Sequence, residues 1–136
     1  MRIVLDTNVF ISGIFFTGPP HQILTAWHDG ELEIVASAEI LEEYRRVGKE
    51  LSNQYPGVDL EPFLVLLAVG ADLVIAPGLL EPVCQDPDDD KFLACALAGQ
   101  CQSIVSGDKH LKRVTGYRGI EVLSPRAFVD CYLESI

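Results

Sequence analysis

The chain has 136 residues, of which 49% are hydrophobic and 22% are charged. This length predicts one domain over residues 1–136, and the apolar fraction excludes a largely disordered chain. A net charge of −10 argues, taken alone, against a nucleic-acid-binding protein with a basic face. No apolar run approaches the ~18 residues of a membrane span, and the N-terminus has no signal-peptide pattern. We therefore predict a cytoplasmic protein with no membrane contact.

Short apolar runs alternate with helical segments along the chain. The predicted strands are residues 2–6, 32–36, 72–76, 103–106 and 120–123. The predicted helices are residues 9–15, 21–29, 37–51, 60–69 and 89–98, then a short helix within 107–114 and a terminal helix from 124. Strands that alternate with helices predict a three-layer α/β/α domain with a mainly parallel central sheet.

Acidic residues stand where predicted strands end or where the following helices begin. Asp6 ends the first strand, Asp108 follows the fourth strand after one glycine, and Asp89 begins a helix. Ligands of open α/β sheets bind outside the carboxyl ends of the strands. We therefore expect these three carboxylates to share one rim of the sheet.

Helical phase separates these candidates from their acidic neighbours. At 100° per residue, Glu43 lies at the border of the apolar stripe of its helix, whereas Glu42 lies nearly opposite the stripe. We therefore expect Glu43 to be half-buried and Glu42 to be solvated. The same count places Asp89 near the middle of the inward face of its helix, with Asp88 and Asp90 to either side.

An ordinary structural role is open to each acid. Asp6 and Asp89 could cap helices, and Asp108 could form a turn. Glu43 could pair with an arginine of its own helix. The joint placement of the four acids at one end of the sheet favours a shared site instead.

Four carboxylates without Cys or His favour a hard cation, Mg²⁺ or Mn²⁺. Two such ions about 4 Å apart can clamp a phosphodiester, and one ion activates a water, so no side-chain nucleophile is required. A metal-loaded pocket attracts phosphate, so the negative net charge no longer excludes RNA. Arg46 and Lys109 belong to basic clusters that could hold phosphates on either side of the cut. A solvated helix face is an equally open interpretation of these clusters.

Four motifs follow one another along the chain, from residue 3 to about residue 123. They are Leu5-Asp6-Thr7-Asn8-Val9, then Ser37 with Glu43-Tyr44, then Asp86-Pro87-Asp88-Asp89 followed by Phe92-Leu93 and Ala96, and finally Ser106-Gly107-Asp108-Lys109 with Leu111. Each motif alone is a weak signal, but four in register are specific. In these motifs and in their order the chain resembles PIN-domain ribonucleases.

This resemblance implies a PIN fold and a Mg²⁺- or Mn²⁺-dependent endoribonuclease. The implied catalytic and metal-binding quartet is Asp6, Glu43, Asp89 and Asp108. Asn8 and Ser106 match accessory polar positions, and Asp86 is a further assisting residue. Asp88 or Asp90 stays open as the third ligand in place of Asp89.

Compact members of this family are often dimeric toxins that an antitoxin peptide inhibits. The resemblance therefore implies an RNA substrate, with an antitoxin protein and a second copy of the chain as further candidate partners. Two other hypotheses stay open. One is a non-catalytic module of the same fold that binds RNA or protein. The other is an aspartyl-phosphate phosphatase with Asp6 as nucleophile, which would ordinarily carry an aspartate where this chain has Asn8.

Overall fold

The computed structural model describes residues 1–133, in which strands and helices alternate. The strands are β1 (Arg2–Leu5), β2 (Glu33–Ala36), β3 (Asp72–Leu73), β4 (Ser103–Val105) and β5 (Glu121–Leu123). The α-helices are α1 (Thr7–Phe15), α2 (Pro19–His28), α3 (Ala38–Ser52), α4 (Glu61–Gly70), α5 (Asp90–Ala98), α6 (Lys109–Lys112) and α7 (Pro125–Phe128). Short 3₁₀ turns, Pro87–Asp89 and Tyr117–Gly119, precede α5 and β5, and a π-helical segment, Val129–Leu133, follows α7.

The five strands form one parallel sheet in the order β3-β2-β1-β4-β5. β1 lies at its centre, where Ile3 pairs with Ile34 of β2 and with Ser103 of β4. The apolar residues of β1 do not alternate with polar ones, and Ile3, Val4 and Leu5 are all fully buried, as expected for a strand covered on both faces. The predicted three-layer α/β/α architecture is confirmed.

The direction in which the chain builds the sheet changes between β1 and β4. β2 and β3 lie on one side of β1, whereas β4 and β5 lie on the other. The connections that leave β1 and β4 therefore diverge, and a crevice opens at the carboxyl ends of these two strands. Asp6 directly follows β1 and Asp108 follows β4, so both residues lie at this crevice.

The predicted elements are present, but several of their ends differ. β3 stops at Leu73 instead of residue 76, because it is an edge strand and the chain soon reaches Pro77, which has no N–H to donate. α2 begins at Pro19, two residues earlier than predicted, since proline is favoured in the first turn of a helix. α1 begins at Thr7 rather than Val9. The sequence predicts that Asp89 begins a helix, but it ends the 3₁₀ turn, and α5 begins one residue later at Asp90.

The core fills both faces of the sheet, and its largest fully buried side chains are Tyr44, Phe10, Phe92 and Phe128. Tyr44 stacks on Phe10 with ring centroids 4.4 Å apart, which joins α3 to α1 next to the end of β1. Among the helices of residues 1–133, none combines the length and apolar character needed to span a membrane.

Candidate metal centre

Asp6 lies at the base of the crevice and is 8% exposed. Its backbone N–H donates to the Val105 carbonyl at 3.0 Å, so the pairing of β1 with β4 extends one residue past β1. Although Asp6 occupies the N-cap position of α1, its side chain makes no capping hydrogen bond. The carboxylate accepts instead from the Ser106 hydroxyl, at 2.6 Å between Oγ and Oδ2. The proposed role of Asp6 as a helix cap is therefore wrong for its side chain.

Ser106 connects the two acids that follow β1 and β4. Its side chain is fully buried, and its Oγ donates to Asp6 while accepting from the Asp108 N–H at 3.0 Å. Asp108 is half-buried and begins α6, where one of its oxygens accepts from the His110 N–H at 2.8 Å. One carboxylate oxygen of Asp108 therefore caps α6, whereas the ordinary interpretation of this residue proposed a turn former.

Three of the acids in residues 86–90 make local contacts. Asp86 accepts from the Asp88 N–H at 3.0 Å and so caps the 3₁₀ turn. Asp88 is exposed, and its Oδ2 lies 2.9 Å from Lys91 Nζ. The two oxygens of Asp90 accept from the backbone N–H groups of residues 83 and 84, at 3.1 and 2.7 Å. Asp90 therefore attaches the preceding loop to the start of α5.

Asp89 differs from its neighbours because it is half-buried and its side chain makes no capping hydrogen bond. Burial raises its pKa to about 6, and the negative charges of Asp108, Asp6 and Asp86 add to this shift. Burial also raises the pKa of Asp6, with further contributions from the charges of Asp108 and Glu43, although the Ser106 hydrogen bond opposes the change. Asp6, Asp89 and Asp108 thus form one group of mutually repelling carboxylates, which we call the acid cluster.

Glu43 reaches the edge of this cluster from α3. The adjacent Tyr44 anchors the helix, because its buried hydroxyl donates to the last carbonyl of β1. Glu43 consequently lies beside Thr7, whose hydroxyl donates to Glu43 Oε2. The Glu43 side chain is 13% exposed, whereas Glu42 is exposed, so the helical phase predicted both positions correctly.

Sequence reasoning missed Lys91, the residue that neutralises Glu43. Lys91 Nζ lies 2.6 Å from Glu43 Oε1, and only 6% of the lysine side chain is exposed. A signal was present in the sequence, since residues 92–98 are apolar on every side and predict a helix buried all round. A lysine in such a helix needs a carboxylate partner, because an unpaired buried charge is strongly disfavoured.

Of the remaining predicted residues, Arg46 and Lys109 adjoin this centre, whereas Asn8 lines a separate groove. Arg46 Nη2 is 3.7 Å from Glu43 Oε1, and the arginine side chain is 62% exposed, so its charge is open to solvent at the edge of the site. Lys109 is exposed at the first position of α6, directly after Asp108. Asn8 is exposed and lines a shallow groove with Ser12 and Val47, between α1 and α3.

The donor chemistry of the acid cluster fits a divalent cation. Carboxylate oxygens are the ligands that Mg²⁺ and Mn²⁺ prefer. Burial first, and then the charges of neighbouring acids, raise the pKa values of Asp6 and Asp89, so a cation beside these carboxylates would be favourable. Within residues 1–133, however, no three Asp, Glu, His or Cys side chains converge closely enough to hold an ion as they stand. Binding of one ion by all three acids of the cluster would therefore require their side chains to rotate toward one another.

The acid cluster lies at the switch point of a parallel sheet, the place where open α/β proteins bind their ligands. Residues 2–110 match the PIN domain family. An uncharacterized protein of Methanocaldococcus jannaschii is 31% identical over 115 residues, which are 82% of this chain and 73% of that protein. The chain therefore belongs to the PIN-domain family, as the four motifs predicted. Members of this family are generally nucleases that use divalent metal ions.

Proposed function

We propose that this protein is a Mg²⁺- or Mn²⁺-dependent endoribonuclease that hydrolyses RNA phosphodiester bonds with a metal-activated water. The observation that carries this proposal is the acid cluster at the switch point of the sheet, where burial and the neighbouring charges, Asp108 among them, raise the pKa of Asp6 and of Asp89. Such a cluster is stabilised by a cation, and it lies at the carboxyl ends of the strands, where open α/β sheets bind their ligands.

The residues of the centre have distinct roles in this proposal. When bound, a Mg²⁺ or Mn²⁺ ion supplies a water of lowered pKa and offsets the charge of the phosphate. Asp6, Asp89 and Asp108 would hold the ion. Ser106 orients the carboxylate of Asp6 and accepts from the backbone N–H of Asp108. Glu43 is the fourth acid of the centre.

Two exposed cations support an RNA substrate. Arg46 lies beside Glu43 at one edge of the centre, and Lys109 follows Asp108 at another. Side chains of this kind position a nucleic acid through its phosphates and do not read its sequence. We propose that they hold the phosphates on the two sides of the cleaved bond.

Asp89 is the acid that we propose as the third ligand. Asp88 is exposed and paired with Lys91, and its pKa is lowered by this hydrogen bond. Asp90 binds two backbone N–H groups of the preceding loop. Asp89 is the member of this run whose pKa responds to Asp6 and Asp108, which supports its place in the acid cluster.

An RNA cleavage assay tests the nuclease proposal. Purified protein with Mn²⁺ should cut single-stranded or structured RNA internally, and EDTA should stop the reaction. Asp6→Asn and Asp89→Asn should each reduce cleavage by about 100-fold or more, since even residues that only support a metal ligand contribute about 10–100-fold. Glu42→Gln is the matched control, because it removes an equal charge from an exposed position of α3. Equal cleavage by wild type and both variants would contradict the proposal.

We also propose that the nuclease is the toxin of a toxin–antitoxin pair, with an antitoxin protein and a second copy of the chain as partners. The support is its resemblance to compact toxins of the same family. Induced expression of the wild type should arrest bacterial growth, whereas Asp89→Asn should not. Unchanged growth on wild-type induction would contradict the toxin role and leave the cleavage assay unaffected.

One observation favours the alternative of a non-catalytic binding module. Both oxygens of Glu43 are engaged, one by Lys91 and the other by Thr7, so this acid is not free as it stands. If the protein retards RNA in a gel but cleaves none of it with either metal, this alternative replaces the nuclease.

A further inference from the structure

Glu43 differs from the three acids of the acid cluster because a fixed positive charge already neutralises it. Lys91 Nζ lies 2.6 Å from Glu43 Oε1 and 2.9 Å from Asp88 Oδ2, and it also donates to the Asp88 carbonyl at 3.0 Å. The second oxygen of Glu43 accepts from the Thr7 hydroxyl. The carboxylate of Glu43 is therefore held in one place by groups of this chain.

The burial of this contact makes it strong. The side chains of Lys91 and Glu43 are 6% and 13% exposed, so little solvent screens their attraction. Separating them would leave a buried ammonium without a partner, which is strongly disfavoured. A cation that approaches Glu43 would also meet the positive charge of Lys91 at contact distance.

We propose that Lys91 is a positioning residue that holds Glu43 and Asp88 apart from the metal and so restricts the centre to one divalent ion, bound by Asp6, Asp89 and Asp108. The proposal rests on the proposed function and specifies the composition of its site. Lys91 occupies the side of the crevice where Glu43 and Asp88 would otherwise offer ligands for a second ion.

The number of Mn²⁺ ions bound per chain tests this proposal. Isothermal titration calorimetry, with electron paramagnetic resonance to count free Mn²⁺, should give one ion for the wild type. Lys91→Met keeps the length of the side chain but removes its charge, and it should bind two ions. Lys91→Arg keeps the charge and should bind one.

Two further variants keep the test decisive if Lys91→Met folds poorly. Glu43→Gln should still bind one ion with an affinity within about threefold of the wild type, because Glu43 is not a ligand. The double variant Lys91→Met, Glu43→Gln lacks both the lysine charge and the carboxylate that the lysine holds. It should bind one ion, because the Glu43 ligand for a second ion is then absent. Circular dichroism and a single cooperative unfolding transition establish that each variant is folded.

The outcomes separate this inference from the proposed function. Two ions in the wild type, one ion in folded Lys91→Met, or two in Lys91→Arg would overturn the role of Lys91 alone. A loss of affinity of more than about tenfold in Glu43→Gln would overturn it as well, because Glu43 would then be a ligand. Binding of no Mn²⁺ by the wild type would overturn the metal-dependent function and the inference with it.

Discussion

Asp89 shows how one residue can be unfavourable for folding and still suit a site. Its carboxylate is half-buried and faces the negative charges of Asp108 and Asp6, which together with burial raise its pKa to about 6. An unfolded chain releases the same proton near pH 4. The metal-free folded state therefore binds more protons between these values, and its stability decreases as the pH rises through this window.

Replacing Asp89 should therefore stabilise the metal-free protein. We expect Asp89→Asn to raise the free energy of unfolding at pH 7.5 by about 1–2 kcal/mol, after allowing for solvent screening of a half-buried group. At pH 4 the difference should be small, because Asp89 is then protonated in the folded wild type and about half protonated in the unfolded chain.

Urea unfolding in EDTA at pH 4 and pH 7.5 measures this difference. Glu42→Gln is again the control, since its exposed charge should change stability little at either pH. A variant Asp89→Asn that is no more stable than wild type at pH 7.5 would show that repulsion within the acid cluster does not destabilise the fold.

At the scale of elements, α5 organises one wall of the crevice. Lys91 on this helix pairs with Glu43 of α3, and Asp90 accepts two N–H groups from the loop before the 3₁₀ turn. The pKa of the Cys84 thiol in this loop is raised to about 12, first by burial and then by Asp90, so the thiol is protonated and unreactive near neutral pH. Through its two hydrogen bonds to backbone N–H groups, Asp90 fixes the loop against α5.

Removing this attachment should free the loop. We expect Asp90→Ala to lower the free energy of unfolding by about 1.5–3 kcal/mol, the usual range for a hydrogen bond to a charged group. Hydrogen exchange at the backbone N–H groups of residues 83 and 84 should accelerate by more than tenfold. Exchange in β1 should change only as much as the lower free energy of global unfolding requires. The exposed loop residue Glu81 provides the control Glu81→Ala. Unchanged exchange at residues 83 and 84 would contradict the role of Asp90.

At the scale of the whole molecule, the fold gathers part of the acidic residues of the sequence at one site. Twenty Asp and Glu oppose ten Lys and Arg, and part of this excess is concentrated in the crevice, where a cation can offset it. The partners and the cytoplasmic location proposed for the protein stay predictions.

Mn²⁺ should stabilise the folded protein because it binds only where the fold brings the acids together. At a free concentration 100 times Kd, the expected gain is about 2.7 kcal/mol, seen as a higher melting temperature. The increase should be larger at pH 7.5 than at pH 5, since protons on Asp89 compete with the ion below pH 6.

Differential scanning fluorimetry with and without Mn²⁺ measures this effect, with NaCl at equal ionic strength as the control. Asp89→Asn should lose most of the increase. A melting temperature that does not change with millimolar Mn²⁺ at either pH would contradict a metal centre in this crevice.

The sequence by itself determined the fold class and the positions of the candidate acids along the chain. Apolar runs that continue through β1 and β4 predict buried parallel strands, and the residues after such strands meet at one edge of a sheet. Helical phase likewise predicted the half-buried Glu43 and the exposed Glu42. These inferences need only local periodicity and the general geometry of parallel sheets.

Only the tertiary structure revealed the contacts of Asp88 and Asp90 and the partner of Glu43, although helical phase already places Asp89 on the inward face of its helix. Adjacent residues in a tight turn point in different directions. Which of them faces the crevice depends on the orientation in which α5 packs against β1 and β4. The contact between Lys91 and Glu43 joins residues of two helices whose relative position is set by many packed side chains together, among them Tyr44 and Phe10. No local pattern encodes such a distance, because it results from the packing of the whole core.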